Sequence, residues 1–507
     1  MPDPLTFTLS RSPPSSLPAW RRAGRKIFHV LRTYCHFVGP GMMISVAYID
    51  PGNYAADVAA GASYRFKLLF IVFLSNIFAI YLQALCIHLG TVTGMDLATM
   101  LRVHCPRWLN YVVYVFGEAA IIATDIAEVI GTAIALKLLS NDKIPLLAGC
   151  AISIIDVVFI LIFYRQHGTA TLATRVFEYM IAGLVLGVLI CFAIQLSHLH
   201  DTTTGEVFKG FLPSSELIQG QAIYQACSIL GATVMPHSLY LGSGLVQGRL
   251  RQFDEQNNLL RPAAEDDEDS APGDKIYEPS LRAIRSCIGY AIAECTISLL
   301  TCAFFINSAI LIVAGASLYG IPGSANAGLP GIYHLLSNTL GASVGKLFAA
   351  ALLLSGFSAG IICTIAGQMV CEGHIRWKIK PWQRRLLTRL LSILPSMVVA
   401  GSLGEKGINQ ALVGSQVALS VILPVISAPV VYFTIRSKYM TIICDASGHR
   451  VSSPAVLASS RAGENDPSLQ RVNMRLHPVW AVFGVLVWLF ITVMNVALLA
   501  LLGLGKT

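Results

Sequence analysis

Two short stretches of this 507-residue chain combine reactive side chains with helix-breaking residues. The first is Asp50-Pro51-Gly52-Asn53. Pro51 withdraws a backbone donor and Gly52 accepts a non-helical conformation. A helix running through here unwinds and leaves the Asp50 carboxylate and the Asn53 amide beside freed carbonyls. The second stretch, Ala232-Thr233-Val234-Met235-Pro236-His237, sets a thioether before a proline and an imidazole after it. One carboxylate, one amide, one soft sulfur and the carbonyls near Ala47 and Ala232 are a donor set for a divalent transition metal ion. Ca²⁺ and Mg²⁺ prefer all-oxygen shells, so the sulfur of Met235 discriminates against them. The same residues have plainer readings. Met is usually a flexible core filler, a lone His is usually a satisfied core residue, and Asp with Asn caps many Pro-Gly turns. An amino-acid ligand is a further reading, with Asp50 on its amine and Met235 merely packing.

A second group of residues suits proton transfer. Glu118, Asp125 and Glu128 stand at i, i+7 and i+10, which places them within roughly 80° of arc on one helix face. On a membrane-spanning helix three such carboxylates are untenable against lipid, so that face should line a wet, proton-accessible path. The alternative is buried ion pairing with Arg249, Arg384 or Arg385, and the two readings are compatible. His237, an imidazole that titrates near physiological pH, is suited to exchanging a proton next to the metal ligands.

The elements that must position these groups follow from composition. The chain is 54% apolar and 13% charged, against about 45–50% and about 25% in soluble domains. That excludes an ordinary water-soluble enzyme and a disordered chain. Stretches such as 347–371, 407–435 and 478–505 carry no charge, and each exceeds the roughly 20 residues a spanning helix needs. Eleven apolar segments are placed near 36–58, 67–90, 110–138, 145–164, 172–195, 221–247, 283–314, 342–371, 386–403, 407–435 and 477–504. Placing the N-terminus in the cytoplasm puts 28 of the 36 Lys and Arg residues on its side, and the C-terminus becomes external or lumenal. The net charge of +8 therefore reports orientation and implies no nucleic-acid partner. The tail 1–35, with Pro13, Pro14 and Pro18, lacks the apolar core of a cleavable signal peptide. The twelve Cys show no Cys-x-x-Cys spacing and read as small buried hydrophobes. The run Glu265 to Asp269, in the cytoplasmic loop 250–282, reads as a solvated linker rather than a metal-gathering segment.

The two breaks fall in the first and sixth spans. If 36–195 and 221–435 are two five-helix repeats, the odd number gives them opposite orientations and the breaks hold corresponding places. Paired broken helices in inverted halves are the best sequence pointer to a transporter's midplane substrate site. The expected architecture is an all-α polytopic membrane protein, an inverted five-plus-five repeat followed by a cytoplasmic loop at 436–476 and an eleventh helix at 477–504.

At this point the residues resemble a family, the Nramp divalent-metal transporters. The resemblance rests on Gly39-Pro40-Gly41 through Asp50-Pro51-Gly52-Asn53 and on Ala232 through His237-Ser238-Leu239-Tyr240. Asp125-Ile126-Ala127-Glu128, the Arg384-Arg385 pair and Ser415-Gln416-Val417 also fit the pattern. It implies the fold shared with the bacterial leucine transporter and proton-coupled import of Mn²⁺ or Fe²⁺. It further implies that Asp50, Asn53, the Ala232 carbonyl and Met235 ligate the metal, joined in particular conformations by the Ala47 carbonyl and Gln416. Asp125, Glu128, His237 and Arg249 would carry or tune the proton path. Metal and proton are then substrates, no cofactor or enzymatic activity is expected, and the bilayer is the other partner, at the plasma membrane or an endosomal or vacuolar membrane. In the related magnesium-transporting branch the metal-site Met is replaced, so Met235 argues for transition metals. Ser238 and Gly242 stand where animal members show Asn and His, which brings the chain closer to fungal members. The competing readings are a sodium-coupled amino-acid carrier of the same fold and a non-transporting metal sensor.

Overall fold

The computed structural model describes residues 39–155, 172–199, 202–218, 220–259, 277–324, 327–375, 381–402, 404–445, 450 and 469–505. The N-terminal tail, the acidic run 265–269, the second part of the fourth apolar segment and most of the loop 446–468 lie outside the described residues. The protein is a multi-pass helical membrane protein. Its first apolar segment is two half-helices, α1 (Pro40–Val46) and α2 (Pro51–Tyr64). Then come α3 (Leu69–Thr93), α4 (Arg107–Leu139), α5 (Leu172–Ser197), and a second pair of half-helices, α6 (Gly220–Thr233) and α7 (Pro236–Gln256). The rest of the bundle is α8 (Leu281–Ser317), α9 (Ala342–Ile375), α10 (Pro381–Ser402), α11 (Gly404–Ile435) and α12 (Pro478–Gly503).

Among the described residues eight helices are long and apolar enough to cross a membrane. The first apolar segment misses that measure because it is split. Helix α12 shows what surrounds the bundle: only 22% of its most apolar window is buried inside the protein, and Val482, Leu486, Val493 and Leu499 face outward. A continuous apolar face of this kind needs lipid. The helix is held on its inner side by Trp488, which donates to the Pro424 carbonyl of α11 at 2.9 Å, and by Tyr81 of α3, which donates to the Trp480 carbonyl at 2.5 Å.

Both prolines act as starts. Pro51 and Pro236 are the first residues of α2 and α7, where a missing N–H costs nothing because it would have no helical partner. Asp50 caps α2 outright: its Oδ1 accepts from the Asn53 N–H at 2.9 Å and its Oδ2 from the Gly52 N–H at 3.1 Å. The helix-end cap and the mid-span break are thus the same feature.

The unwound residues 47–50 sit in a notch made by close packing. A side chain at Gly131 of α4 would overlap the Pro51 ring, and one at Gly356 of α9 would come within 3.3 Å of its Cγ. Two glycines therefore let α4 and α9 approach the break directly. A π-turn at Leu299–Phe304 offsets the middle of α8, just before Asn307, a known use of such bulges at functional positions. After α11 the chain forms a two-stranded antiparallel sheet, β1 (Thr441–Asp445) and β2 (Leu469–Asn473), inside the loop expected at 436–476. Arg450 fastens this loop to α3 by donating to the Val92 and Thr93 carbonyls at 3.3 and 3.1 Å.

The glycine notch is testable. Gly131→Leu should overpack the contact with Pro51 and destabilise the protein by about 1–3 kcal/mol. The readout is the unfolding temperature of the detergent-solubilised protein, and an unchanged value would show that α4 and α2 tolerate separation here.

Candidate metal centre and its charged surroundings

The two breaks meet in the interior. The Asn53 Nδ2 donates to the Asp50 Oδ1 at 2.9 Å, to the Tyr48 carbonyl at 2.9 Å and, across 179 residues of sequence, to the Ala232 carbonyl at 3.2 Å. Three oxygens thus converge on one point while the Asn53 Oδ1 has no partner. Asp50, Ala232 and Met235 are 0% exposed. Such a concentration of oxygen in a dry interior is an environment for a cation.

Gln416 of α11 completes the inner surface. A side chain at Gly52 would overlap the Gln416 Nε2 and lie 2.8 Å from the Asp50 Oδ2, so the Gln416 amide rests over Gly52 beside the carboxylate. Its Nε2 reaches the Ser415 hydroxyl at 3.3 Å and its Oε1 is buried without a partner. Ala47 is the first residue beyond α1 and is buried. Met235 is the last residue before α7, and its carbonyl accepts from the Ser238 hydroxyl at 2.7 Å.

Backbone freed inside a membrane must be satisfied by the protein, and the side chains that do this here were not legible in the sequence. Asn307 of α8 donates to the Tyr48 carbonyl at 3.1 Å. Ser355 of α9 donates to the Ile49 carbonyl. Gln83 of α3 donates to the Tyr48 hydroxyl at 2.8 Å and to the Ser238 carbonyl at 3.0 Å, tying the first break to α7. All three are polar residues within apolar helices that carry other polar residues as well, and their partners lie too far away in sequence to be guessed.

The acidic groups separate into three places. Asp125 of α4 pairs with Arg389 of α10 at 2.6 Å, and Glu128 stands 3.9 Å from the same guanidinium. The Cys363 thiol lies within 4.8 Å of both carboxylates. His237 belongs to this neighbourhood: its Nδ1 is 3.4 Å from the hydroxyl of Thr124, the residue before Asp125. Glu118 stands apart and accepts from the Cys371 thiol at 2.7 Å. It shares an angular face with Asp125, but seven residues of rise carry it about 10 Å along the axis.

The third place involves Arg249. Rather than meeting the α4 acids, it pairs with Glu178 of α5 at 3.2 Å. Next to it Glu294 of α8 accepts from the Gly39 and Gly41 N–H groups at 2.8 and 2.9 Å, holding the start of α1. The expectation that the α4 acids pair with Arg249 is therefore corrected. Among the described residues Asp125 meets Arg389, one helical turn beyond Arg385 and 2% exposed. The side chains of Arg384 and Arg385 themselves lie outside the described residues.

Comparison with known proteins follows the same lines. The family model described as natural resistance-associated macrophage protein-like, Nramp, matches residues 41–457. The chain is 47% identical to the manganese transporter pdt1 of Schizosaccharomyces pombe, over 95% of this chain and 88% of that protein. It is 49% identical to the iron transporter SMF3 of Saccharomyces cerevisiae, over 82% and 85%. Among solved structures, the Eremococcus coleocola manganese transporter in complex with an aromatic bis-isothiourea substituted compound superposes with a TM-score of 0.70 at 28% identity, covering 92% of this chain and 86% of that one. The nucleobase-cation symporter Mhp1, at 12% identity and a TM-score of 0.53, shares the fold alone. With a family model running from the first half-helix to the loop after α11, and two broken helices meeting where that family's motifs fall, the chain belongs to the Nramp family.

Proposed function

We propose that this Nramp protein is a secondary transporter that imports divalent transition metal ions, Mn²⁺ and/or Fe²⁺, together with protons by alternating access. The observation that carries the reading is the junction of the two half-helix pairs at Asn53 and Ala232. It gathers one carboxylate, two amides and freed carbonyls around a buried point, with the break bearing Met235 beside it. One negative charge among neutral donors holds a dication without trapping it, and the thioether favours Mn²⁺ or Fe²⁺ over Ca²⁺.

The proton route we assign to His237, Asp125 and Glu128. Asp125 and Glu128 both stand beside the buried guanidinium of Arg389, a fixed cation against which carboxylates can take up and release protons. Pro51 rests on Gly131, three residues beyond Glu128 on the same helix, which puts the break and the cluster in mechanical contact. The distribution of basic residues orients the N-terminus to the cytoplasm and the C-terminus to the exterior or a lumen, in the plasma membrane or an endosomal or vacuolar membrane.

In liposomes, Mn²⁺ uptake should accelerate under an inward acid gradient. Amino-acid flux without Mn²⁺ flux would replace this reading with an amino-acid carrier, and binding without flux would indicate a sensor. Met235→Ala should keep measurable Mn²⁺ uptake but raise the ratio of Ca²⁺ to Mn²⁺ transported about tenfold, roughly 1.4 kcal/mol of lost discrimination; an unaltered transport ratio would remove the thioether from selectivity. Arg389→Ala removes a buried guanidinium from beside two buried carboxylates and should cost about 3–5 kcal/mol, seen as a lower unfolding temperature. The double variant Asp125→Asn, Arg389→Gln should regain much of that stability while uptake loses its response to the acid gradient. An Arg389→Ala protein as stable as wild type would show that the pair contributes nothing.

A further inference from the structure

One buried carboxylate has no place in the scheme above. Asp57 of α2 is 1% exposed, and neither of its oxygens has a partner. An unpaired carboxylate away from water is among the most costly groups a fold can hold, and inside a membrane protein it marks function. Its position is specific. Asp50, Asn53 and Asp57 stand at i, i+3 and i+7, within roughly 60° of arc, and Asp57 lies about 10 Å further along α2 than Asp50.

The facing helix supplies the second half of the argument. Asn53 of α2 meets Ala232 of α6 at 3.2 Å, and three residues on, the Ala56 carbonyl accepts from Gln225 at 2.5 Å. Numbers rise along α2 as they fall along α6, so the two run antiparallel. That register sets Asp57, one turn beyond Asn53, level with Ser228, one turn before Ala232. The Ser228 hydroxyl is likewise buried without a partner. The register therefore aligns residues with unpartnered oxygens, Asp57 Oδ1 and Oδ2, Asn53 Oδ1 and Ser228 Oγ, along the two helices that Asn53–Ala232 and Gln225–Ala56 join.

We propose that these residues form a second cation site, an outer relay that receives the metal ion before Asp50 and Met235 do. The inference rests on the transport reading above, in which α2 and α6 are the outer halves of their spans. Parting of α2 from α6 at Gln225 then uncovers Asp57 ahead of Asp50. The relay ligands are all oxygen, so the site accepts Mn²⁺, Fe²⁺, Ca²⁺ and Mg²⁺ alike. Selection falls to the inner site, and external Ca²⁺ competes by occupying the relay.

The test is initial-rate Mn²⁺ uptake into proteoliposomes, with and without external Ca²⁺. Asp57→Asn, which keeps the shape and removes the charge, should raise the KM for Mn²⁺ about tenfold with kcat within twofold of wild type, and should weaken Ca²⁺ inhibition by a similar factor. Asp57→Glu should retain near-normal values. Ser228→Ala should raise KM by a smaller factor and carries the test if Asp57→Asn does not fold. Unchanged KM and Ca²⁺ inhibition in these variants, or a fall in kcat at constant KM, would overturn the relay while leaving metal transport standing. Absence of Mn²⁺ uptake by the wild-type protein would overturn both.

Discussion

The structure depends on one constraint: backbone unwound inside a membrane must find its hydrogen bonds within the protein. Residues 47–50 are the sharpest instance, and their carbonyls are met from three helices. Asn53 supplies an amide from the same half-helix, Asn307 and Ser355 reach in from α8 and α9, and Gln83 ties Tyr48 to Ser238. Because those donors come from separate helices, satisfying the break also fixes where the helices stand. The cation-binding surface is what is left over: oxygens that converge because the backbone could not continue as a helix.

Charge is organised by the same economy. The buried Asp125–Arg389 pair with Glu128 alongside, the Arg249–Glu178 pair beside Glu294, and Glu118 against Cys371 are separate islands. Asp57 belongs to none of these islands. Proximity then distinguishes their roles, since the first island adjoins the helix face on which Pro51 rests, while the second grips the opposite end of the same broken span.

Much of this was legible in the residues. Pro and Gly beside Asp, Asn, Met and His located both breaks, because the physics of a proline is local. Apolar length located the helices, although the prolines proved to open the second half-helices rather than close the first. What escaped were relations between distant residues. Arg389 follows Arg384 and Arg385 in a basic stretch with nothing local to set it apart, and only the packing of α10 on α4 shows it to be interior. Glu118 shares the helix face of Asp125 and Glu128, and the rise of the helix sets it about 10 Å from Asp125 along the axis. The β1–β2 sheet was missed because five-residue strands separated by a long loop give no periodic signal of their own.

Helix α12 carries a consequence for biogenesis. It follows every other element of the bundle in chain order, and its polar attachments, through Trp488 to Pro424 and through Tyr81 to Trp480, use groups on α11 and α3. Both docking partners have left the ribosome before α12 does. Its outward face is almost wholly apolar, so it can enter the bilayer independently and then dock sideways, which makes it an addition to a completed core and not a participant in building it.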